Sequence, residues 1–149
     1  MNTIIYQSLV VKDTPHHVFK MFTENEHLEK WLTKKADVEP RIGGKYELFW
    51  NLEDTEHDST IGCTVLAFTP DKLLSFEWKG PHQFEFMNEA DPLTHVVVAF
   101  IPCKGGTEVH LIHTGWRSTA EWEEARKWFE KAWQIALSEL QTYAMENVR

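Results

Sequence analysis

Long apolar runs are missing from this chain. No apolar stretch approaches the roughly 18 residues that predict a membrane-spanning helix. The first eleven residues, MNTIIYQSLVV, carry neither the basic region nor the long apolar core of a secretory signal. Cysteine is scarce as well, and on the separate strand-like segments of Cys63 and Cys103 free thiols are favoured over a disulfide. We therefore expect a cytoplasmic protein without a membrane span.

Positive charge is also in short supply. The 149 residues include 15 Lys and Arg against 23 Asp and Glu, which gives a formal net charge of -8. An acidic chain repels phosphate backbones, so nucleic-acid binding is disfavoured. There is no basic run that would attract an anionic membrane surface.

Motifs for metal binding and nucleophilic catalysis are absent from the sequence. Eight histidines form no HExxH or clustered Cys/His pattern. His16 and His17 are adjacent on a predicted helix and diverge by about 100°, whereas His110 and His113 point to opposite faces of a predicted strand. No GxSxG motif is present, and the glycine pairs lack a phosphate-loop context. We expect no metal and no cofactor, and we assign no catalytic residue.

Aromatic residues, in contrast, are abundant. The chain has seven Trp, nine Phe and three Tyr. Each large aromatic side chain can bury about 150–250 Å² of surface. This is more apolar bulk than a domain of this size needs for marginal stability, so part of it is available to line a cavity.

Hydrophobic periodicity and turn signals divide the chain into an ordered set of elements. A first strand at 3–12 is followed by a helix at 15–22, with Thr14 as its N-cap and Pro15 in its first turn. Thr23 and Glu26 match a capping box for a second short helix that ends near Leu32. The middle of the chain predicts six strands, with polar loops at 51–59 and 81–93: 34–39, 44–50, 60–69, 72–79, 94–102 and 106–116.

The C-terminal segment predicts one long amphipathic helix. Ser118 and Glu121 match a capping box, and apolar residues then recur every three or four positions. A helix of about 28 residues is roughly 42 Å long, enough to cross a small sheet. Because consecutive strands with short turns form antiparallel sheets, we expect an α+β fold in which a curved antiparallel sheet wraps around this helix. The predicted apolar stripe is Trp122, Ala125, Phe129, Ala132, Trp133, Ala136, Leu140 and Tyr143, widened by Trp128 and Ile135.

This order of elements carries a resemblance to a known family. The chain has WL at 31–32, EPRIGGKYELFW at 39–50, LLSFEW at 73–78 and HTGW at 113–116 ahead of a Trp-rich helix. It resembles the activator of heat-shock-protein-90 ATPase homologue family, within the START-like (SRPBCC) superfamily, over essentially its whole length. The resemblance implies a single START-like domain at 1–149 with a helix-grip fold and a cavity between sheet and helix.

Seven residues are candidates for the wall of that cavity. His113 shares strand parity with Val109 and Leu111, so it is either a polar group inside the cavity or a core histidine bonded to its surroundings. Arg41 is either an anchor for an acidic ligand or the partner of a carboxylate such as Glu39 or Glu47. The aromatic members serve as core and as pocket wall. The full candidate set is Arg41, Tyr46, Trp50, Trp78, His113, Trp116 and Trp133.

Three functions are compatible with these features. The first is a cytoplasmic protein that binds a small apolar or amphipathic molecule between sheet and helix. The second is a protein-interaction module that acts on a chaperone or another partner, which an exposed apolar patch would favour. The third is an enzyme that uses the cavity for acid–base chemistry, which requires a group with a perturbed pKa.

Overall fold

The computed structural model describes residues 3–147 and contains seven strands and three α-helices over that range. A 3-10 segment, His82–Glu89, lies within the predicted loop at 81–93. The helices are α1 (Pro15–Thr23), α2 (Asn25–Trp31) and α3 (Ala120–Asn147). The strands are β1 (Ile5–Val11), β2 (Lys35–Val38), β3 (Tyr46–Phe49), β4 (Val65–Thr69), β5 (Leu73–Glu77), β6 (His95–Cys103) and β7 (Gly106–Thr114).

The main sheet has five antiparallel strands in the order β1-β7-β6-β5-β4. Its central hairpin pairs His95 with Thr114 and Cys103 with Gly106, and β1 pairs with β7 from Ile5 opposite His113. Alternation along these strands places one set of side chains against α3, as the period-2 pattern predicts. The α+β helix-grip fold, with two short helices after the first strand, is confirmed.

The hairpin of β2 and β3 continues the curve of the sheet past β4. It forms a separate two-stranded sheet, and single bridges between Lys45 and Thr64 and between Phe49 and Ser59 join it to the chain before β4. Gly44 makes its tight turn possible, because a Cβ at this position would lie 2.3 Å from the carbonyl oxygen of Glu39.

Strand β4 begins five residues later than the predicted segment at 60–69. The side chain of Thr60 interrupts regular pairing there, because its hydroxyl donates to the Tyr46 carbonyl and accepts from the Leu48 amide. Gly62 then takes a left-handed φ of 86°, which turns the chain before β4 begins at Val65. Residues 60–64 therefore form hydrogen bonds with β3 and are not part of β4.

Both predicted capping boxes are shifted from their sequence positions. Helix α2 begins at Asn25, and the Thr23 hydroxyl donates to the Phe19 carbonyl of α1 instead of capping α2. Helix α3 begins at Ala120, where the Thr119 hydroxyl accepts weakly from the Trp122 amide at 3.4 Å. Adjacent Ser and Thr at 118–119 offer two alternative caps, and the sequence pattern alone does not choose between them.

Helix α3 buries most of the predicted stripe against the sheet. Trp122, Phe129 and Trp133 are all less than 9% exposed, whereas the two residues expected to widen the stripe, Trp128 and Ile135, are 42% and 60% exposed. At 100° per residue, both lie more than about 100° around the helix axis from the centre of the buried stripe. The further buried residues that the pattern did not include are Arg126, Leu137 and Ala144.

Within residues 3–147, no helix is long and apolar enough to cross a membrane. Across the same part of the chain, no group of three or more His, Cys, Asp or Glu side chains could hold a metal ion. Cys63 and Cys103 are both free thiols, and burial raises the pKa of Cys63 to about 12.

Candidate functional site

A groove of about 490 Å³ runs along one side of α3. Its other wall is formed by the residues that follow β3 and β5 and by the end of α2, where the curved sheet separates from the helix. This volume is in the range of small-molecule sites. The apolar lining consists of Trp31, Leu32, Trp50, Trp78, Pro81, Trp128, Phe129, Ala132, Trp133, Ile135 and Ala136.

The indole N–H groups in this groove differ in how they are bonded. Trp31 donates to the Met21 carbonyl at 2.8 Å, and Trp50 donates to the Leu32 carbonyl at 3.0 Å. Trp78 is only 4% exposed, yet its Nε1 has no hydrogen-bond partner among the residues that the structure describes.

An unpaired buried N–H group costs about 1–3 kcal/mol. The Nε1 atom itself is fully buried, so a bound acceptor reaches it only when a groove side chain moves aside, and the new hydrogen bond then removes that cost. Trp78 packs against Trp50 and Trp133, with ring centroids 6.0 and 5.1 Å apart, so its indole is held in place by both walls of the groove.

A small set of polar residues completes the groove lining. Lys79 is the one cation among the groove-lining residues of the described chain, and Asp58 and Glu139 are the carboxylates. The backbone N–H and the imidazole of His82 hold the pKa of Asp58 below its usual value. Asp58 is therefore charged at neutral pH and already paired with His82, which leaves Lys79 and Glu139, of opposite charge, as the charged groups open to a ligand.

His113 lies next to the groove but does not line it. The side chain is fully buried in β7, and its Nδ1 accepts a hydrogen bond from Trp133 Nε1 at 3.1 Å. The proton of the neutral ring is then on Nε2, which donates to the Thr94 hydroxyl at 3.0 Å. The Thr94 hydroxyl in turn donates a hydrogen bond to the Trp78 carbonyl at 3.4 Å. Burial, with a smaller effect from His95, lowers the pKa of His113 to about 3.

The geometry of His113 is that of a core histidine bonded to its surroundings, the second of the two alternatives that the sequence left open. Both ring nitrogens are used, and protonation of Nδ1 would break the bond from Trp133 inside a dry core. A general acid or base needs a free nitrogen facing its substrate. The lowered pKa of His113 is therefore a consequence of its structural position.

Three other candidate residues also lie away from the groove. Tyr46 is fully buried, stacks on Phe76 with centroids 3.9 Å apart, and donates its hydroxyl to the Phe22 carbonyl. Arg41 is exposed in the β2–β3 turn and lies 3.5 Å from Glu39, so the carboxylate alternative corresponds to the structure.

Trp116 takes a third position, beyond the end of β7. Its Nε1 donates to the His113 carbonyl, and its ring packs 4.5 Å from the imidazole. Of the seven candidates, the structure thus brings Trp50, Trp78 and Trp133 to the groove and leaves Arg41, Tyr46, His113 and Trp116 outside it.

Several groove residues were not among the sequence candidates. Trp31, at the end of the predicted second helix, and Trp128, in the predicted helix stripe, both line the groove. Lys79 was not selected because a lysine at a strand end ordinarily faces solvent. The sequence feature that points to Lys79 is its position directly after the inward Trp78, at the start of the Lys-Gly-Pro turn.

Comparison with known families is consistent with this architecture. The family model described as "Activator of Hsp90 ATPase homolog 1-like protein" matches residues 12–145. The chain belongs to this AHSA1 family. Among curated proteins, none matches the sequence.

Solved structures share the fold at low sequence identity. Protein MLL2253 from Mesorhizobium loti has a TM-score of 0.78 and 21% identity, over 98% of this chain and 99% of that one. Protein SSP2350 from Staphylococcus saprophyticus has a TM-score of 0.73 and 15% identity, over 98% and 96%. The Aha1 dimer from Colwellia psychrerythraea has a TM-score of 0.72 and 18% identity, over 94% of each chain. At this identity, the likeness establishes the shared helix-grip fold alone.

Proposed function

We propose that this protein is a cytoplasmic, single-domain START-like protein that binds a small amphipathic molecule in the groove beside α3. The main support for this proposal is that the buried Nε1 of Trp78, in the mostly apolar lining of the groove, has no hydrogen-bond partner among the described residues. A mostly apolar pocket with a few fixed polar groups is the usual design of a small-molecule site.

The groove defines the chemistry of its ligand. The tryptophan walls accept an apolar or aromatic body, and Trp78 Nε1 donates to an oxygen on it. Lys79 attracts a carboxylate or another acidic group, and Glu139 on α3 limits that preference to ligands whose acidic group lies on the Lys79 side of the groove. Lys79 takes the role for which Arg41 was the sequence candidate, because Arg41 lies outside the groove and beside Glu39.

The first experiment is native mass spectrometry of the protein purified from its host, to detect a retained small molecule. Titration with decanoic acid and with decan-1-ol follows, with intrinsic tryptophan fluorescence as the readout. We expect saturable quenching by both and tighter binding of the acid. A micromolar dissociation constant corresponds to about 8 kcal/mol, which burial of roughly 300–400 Å² of apolar ligand surface can supply before binding costs.

A groove-filling variant tests the location of the ligand. Ala136 lines the groove from α3, so Ala136→Trp should abolish the saturable quenching. The matched control is Ser138→Trp, at an exposed position of the same helix outside the groove. Binding that survives Ala136→Trp while the protein remains folded would place the ligand elsewhere and refute the proposal.

A second candidate function is a protein-interaction module of the kind that the family name describes. The exposed apolar side chains beside the groove, Trp128 and Ile135, are the observation that favours it. Addition of the protein to a heat-shock-protein-90 ATPase assay tests this alternative. Stimulation that is lost in a Trp128→Ser, Ile135→Ser double variant would support it, and no stimulation at micromolar protein favours the small-molecule function.

A further inference from the structure

A second cavity lies at the N-terminal end of α3, apart from the groove. Its volume is about 360 Å³, and six of its eight lining residues are polar or charged, although most of the surface that they present to the cavity is apolar. None of its residues lines the groove described above. The lining residues are Thr3, Trp116, Arg117, Ser118, Thr119, Ala120, Glu123 and Arg126.

Arg126 is the unusual member of this cavity. The residue is 5% exposed, and its Nε donates to the Glu123 carboxylate at 2.5 Å. Its Nη1 has no hydrogen-bond partner within residues 3–147. The Glu130 carboxylate is 3.8 Å from Nη1, beyond hydrogen-bond distance, and its side chain is 45% exposed. A guanidinium keeps its charge at any physiological pH and can only donate, so a buried Nη1 requires an acceptor.

Arg117 provides a second guanidinium that is fixed at the cavity wall. Its Nη1 donates to the Gly115 carbonyl at 2.6 Å and its Nη2 to the Pro92 carbonyl at 2.8 Å. The guanidinium carbon also lies 5.1 Å from the centre of the Trp122 ring. These carbonyls are neutral, so the positive charge of Arg117 is not compensated by the contacts that hold it.

The first turn of α3 contributes backbone donors to the same place. The Glu123 amide bonds to the Thr119 carbonyl, as the first intrahelical bond. The preceding amides of Ala120 and Glu121 therefore have no acceptor within the helix. The helix adds a partial positive charge of about half a unit at this end, and the hydroxyls of Ser118 and Thr119 line the cavity.

We propose that this cavity binds a small oxyanion, a carboxylate or phosphate group, between Arg126 Nη1 and the first turn of α3. The Glu123 and Glu130 carboxylates both form ion pairs with Arg126 and offset its charge, so the uncompensated positive charge of the cavity comes from Arg117 and the helix terminus. The bond from Arg126 Nε to Glu123 orients the guanidinium so that Nη1 has no hydrogen-bond acceptor. An oxyanion accepts from the guanidinium and from backbone amides together, which a neutral ligand does less well.

The test is an amide NMR titration of ¹⁵N-labelled protein with sodium phosphate and, separately, with sodium acetate, against sodium chloride at matched ionic strength. We expect saturable shifts of the Ala120 and Glu121 amides with phosphate or acetate and not with chloride. Tighter binding of phosphate identifies a phosphoryl group as the natural ligand, and tighter binding of acetate identifies a carboxylate. Absence of saturable shifts with both anions would overturn the proposal.

Two variants separate Arg126 from the helix terminus alone. Arg126→Gln should weaken binding at least tenfold, and Arg126→Lys, which keeps the charge but lacks the planar fork, at least threefold. The control Arg41→Gln removes an exposed arginine of the β2–β3 turn and should change nothing. The dispersion of the spectra shows whether each variant is folded, and Arg126→Lys serves if the glutamine variant is not. Unchanged affinity in a folded Arg126 variant would overturn the proposal.

Discussion

The interface between α3 and the sheet has two halves, and they differ in whether their buried polar groups have hydrogen-bond partners. In the closed half, β7 and β6 meet the helix, and Trp133, His113 and Thr94 form a continuous chain of hydrogen bonds. In the open half, β3 and β5 end and the sheet separates from the helix. There Trp78 keeps a buried N–H with no partner in the described part of the chain.

This difference distinguishes a structural polar group from one available to a ligand. A buried group whose hydrogen bonds are complete stabilises one arrangement of the core and offers nothing to a bound molecule. A buried donor beside an open apolar groove has a cost that a ligand removes on binding. The comparison assigns His113 to the core and Trp78 to the groove, although both are polar groups on inward faces of the same sheet.

The largest effect is expected from removal of the imidazole in the closed half. His113→Leu leaves Trp133 Nε1 without its acceptor and the Thr94 hydroxyl without its donor, so unfolding free energy should fall by about 2–5 kcal/mol. Urea denaturation measures this. The matched control is His110→Leu on the outer side of β7, where bonds to Tyr6 and Glu108 are partly exposed and the loss should stay below about 1 kcal/mol. Equal losses of unfolding free energy in the two variants would contradict the claim that the hydrogen bonds of the closed half stabilise the core.

The next effect is a pH dependence that originates at His113. Its pKa is about 3 in the folded protein, and near 6.5 when unfolded. Between these values the unfolded chain binds a proton that the folded chain does not, so stability decreases as the pH falls through this window. His95, the neighbouring charge, acts in the same direction.

The comparison of wild type with His113→Gln isolates this contribution. On going from pH 7 to pH 5, the wild type should lose about 2 kcal/mol more than the variant, since one pKa unit corresponds to about 1.4 kcal/mol. Urea denaturation at the two pH values gives both numbers. Parallel losses in the two proteins would show that His113 does not titrate as its burial requires.

Much of the fold, but only part of the site, followed from the sequence. Periodicity predicted the seven strands and three α-helices of the described chain, because alternation and the 3.6-residue stripe report burial directly, but it missed the 3-10 segment and the late start of β4. Bonding between distant residues is not encoded in that pattern. His113 had the right parity for the interior, but its partners Trp133 and Thr94 are 20 and 19 residues away in the chain. The sequence therefore left open whether His113 was a pocket or a core residue.

The departures at the groove have the same origin. Trp128 directly precedes the buried Phe129, so it lies about 100° around the helix from the stripe; its indole packs on Phe84 of the 3-10 segment and stays 42% exposed, a contact that the helical period does not encode. Arg41 shares a segment with the aromatic strand β3, but it lies in the tight turn before that strand, exposed and beside Glu39.

A smaller effect is expected from a matched pair of indole replacements. Trp133→Phe and Trp78→Phe remove the same atoms, but only the first breaks a hydrogen bond and leaves His113 Nδ1 buried without a donor. Trp133→Phe should therefore be about 1–2 kcal/mol more destabilising than Trp78→Phe. Thermal and urea unfolding provide the comparison. If the two variants are equally stable, the contrast between the two halves fails.

The smallest effect concerns the loop beside the open half. The His57 imidazole lies 2.8 Å from the Asp54 carboxylate and 3.0 Å from that of Glu85 in the 3-10 segment. The pKa of His57 is raised, and the hydrogen bond to Asp54 is the largest cause. The stabilising contribution is full below the unfolded pKa and is lost as the pH rises through the folded pKa. In an NMR titration, Asp54→Asn should lower the His57 pKa, and Asp13→Asn, which faces His17 instead, should leave it unchanged.

The most direct test of the central claim is the behaviour of two indole N–H resonances as a ligand enters the groove. Trp78 and Trp133 are assigned by their phenylalanine variants, and ¹⁵N-labelled protein is titrated with decanoic acid or with the compound retained on purification. We expect a saturable downfield shift of the Trp78 Nε1–H signal as it gains an acceptor. Trp133 also lines the groove, but its N–H is already bonded to His113 and gains no acceptor, so its signal should not show a comparable downfield shift. Saturable binding that leaves the Trp78 signal in place, or that moves the Trp133 signal as much, would contradict the account.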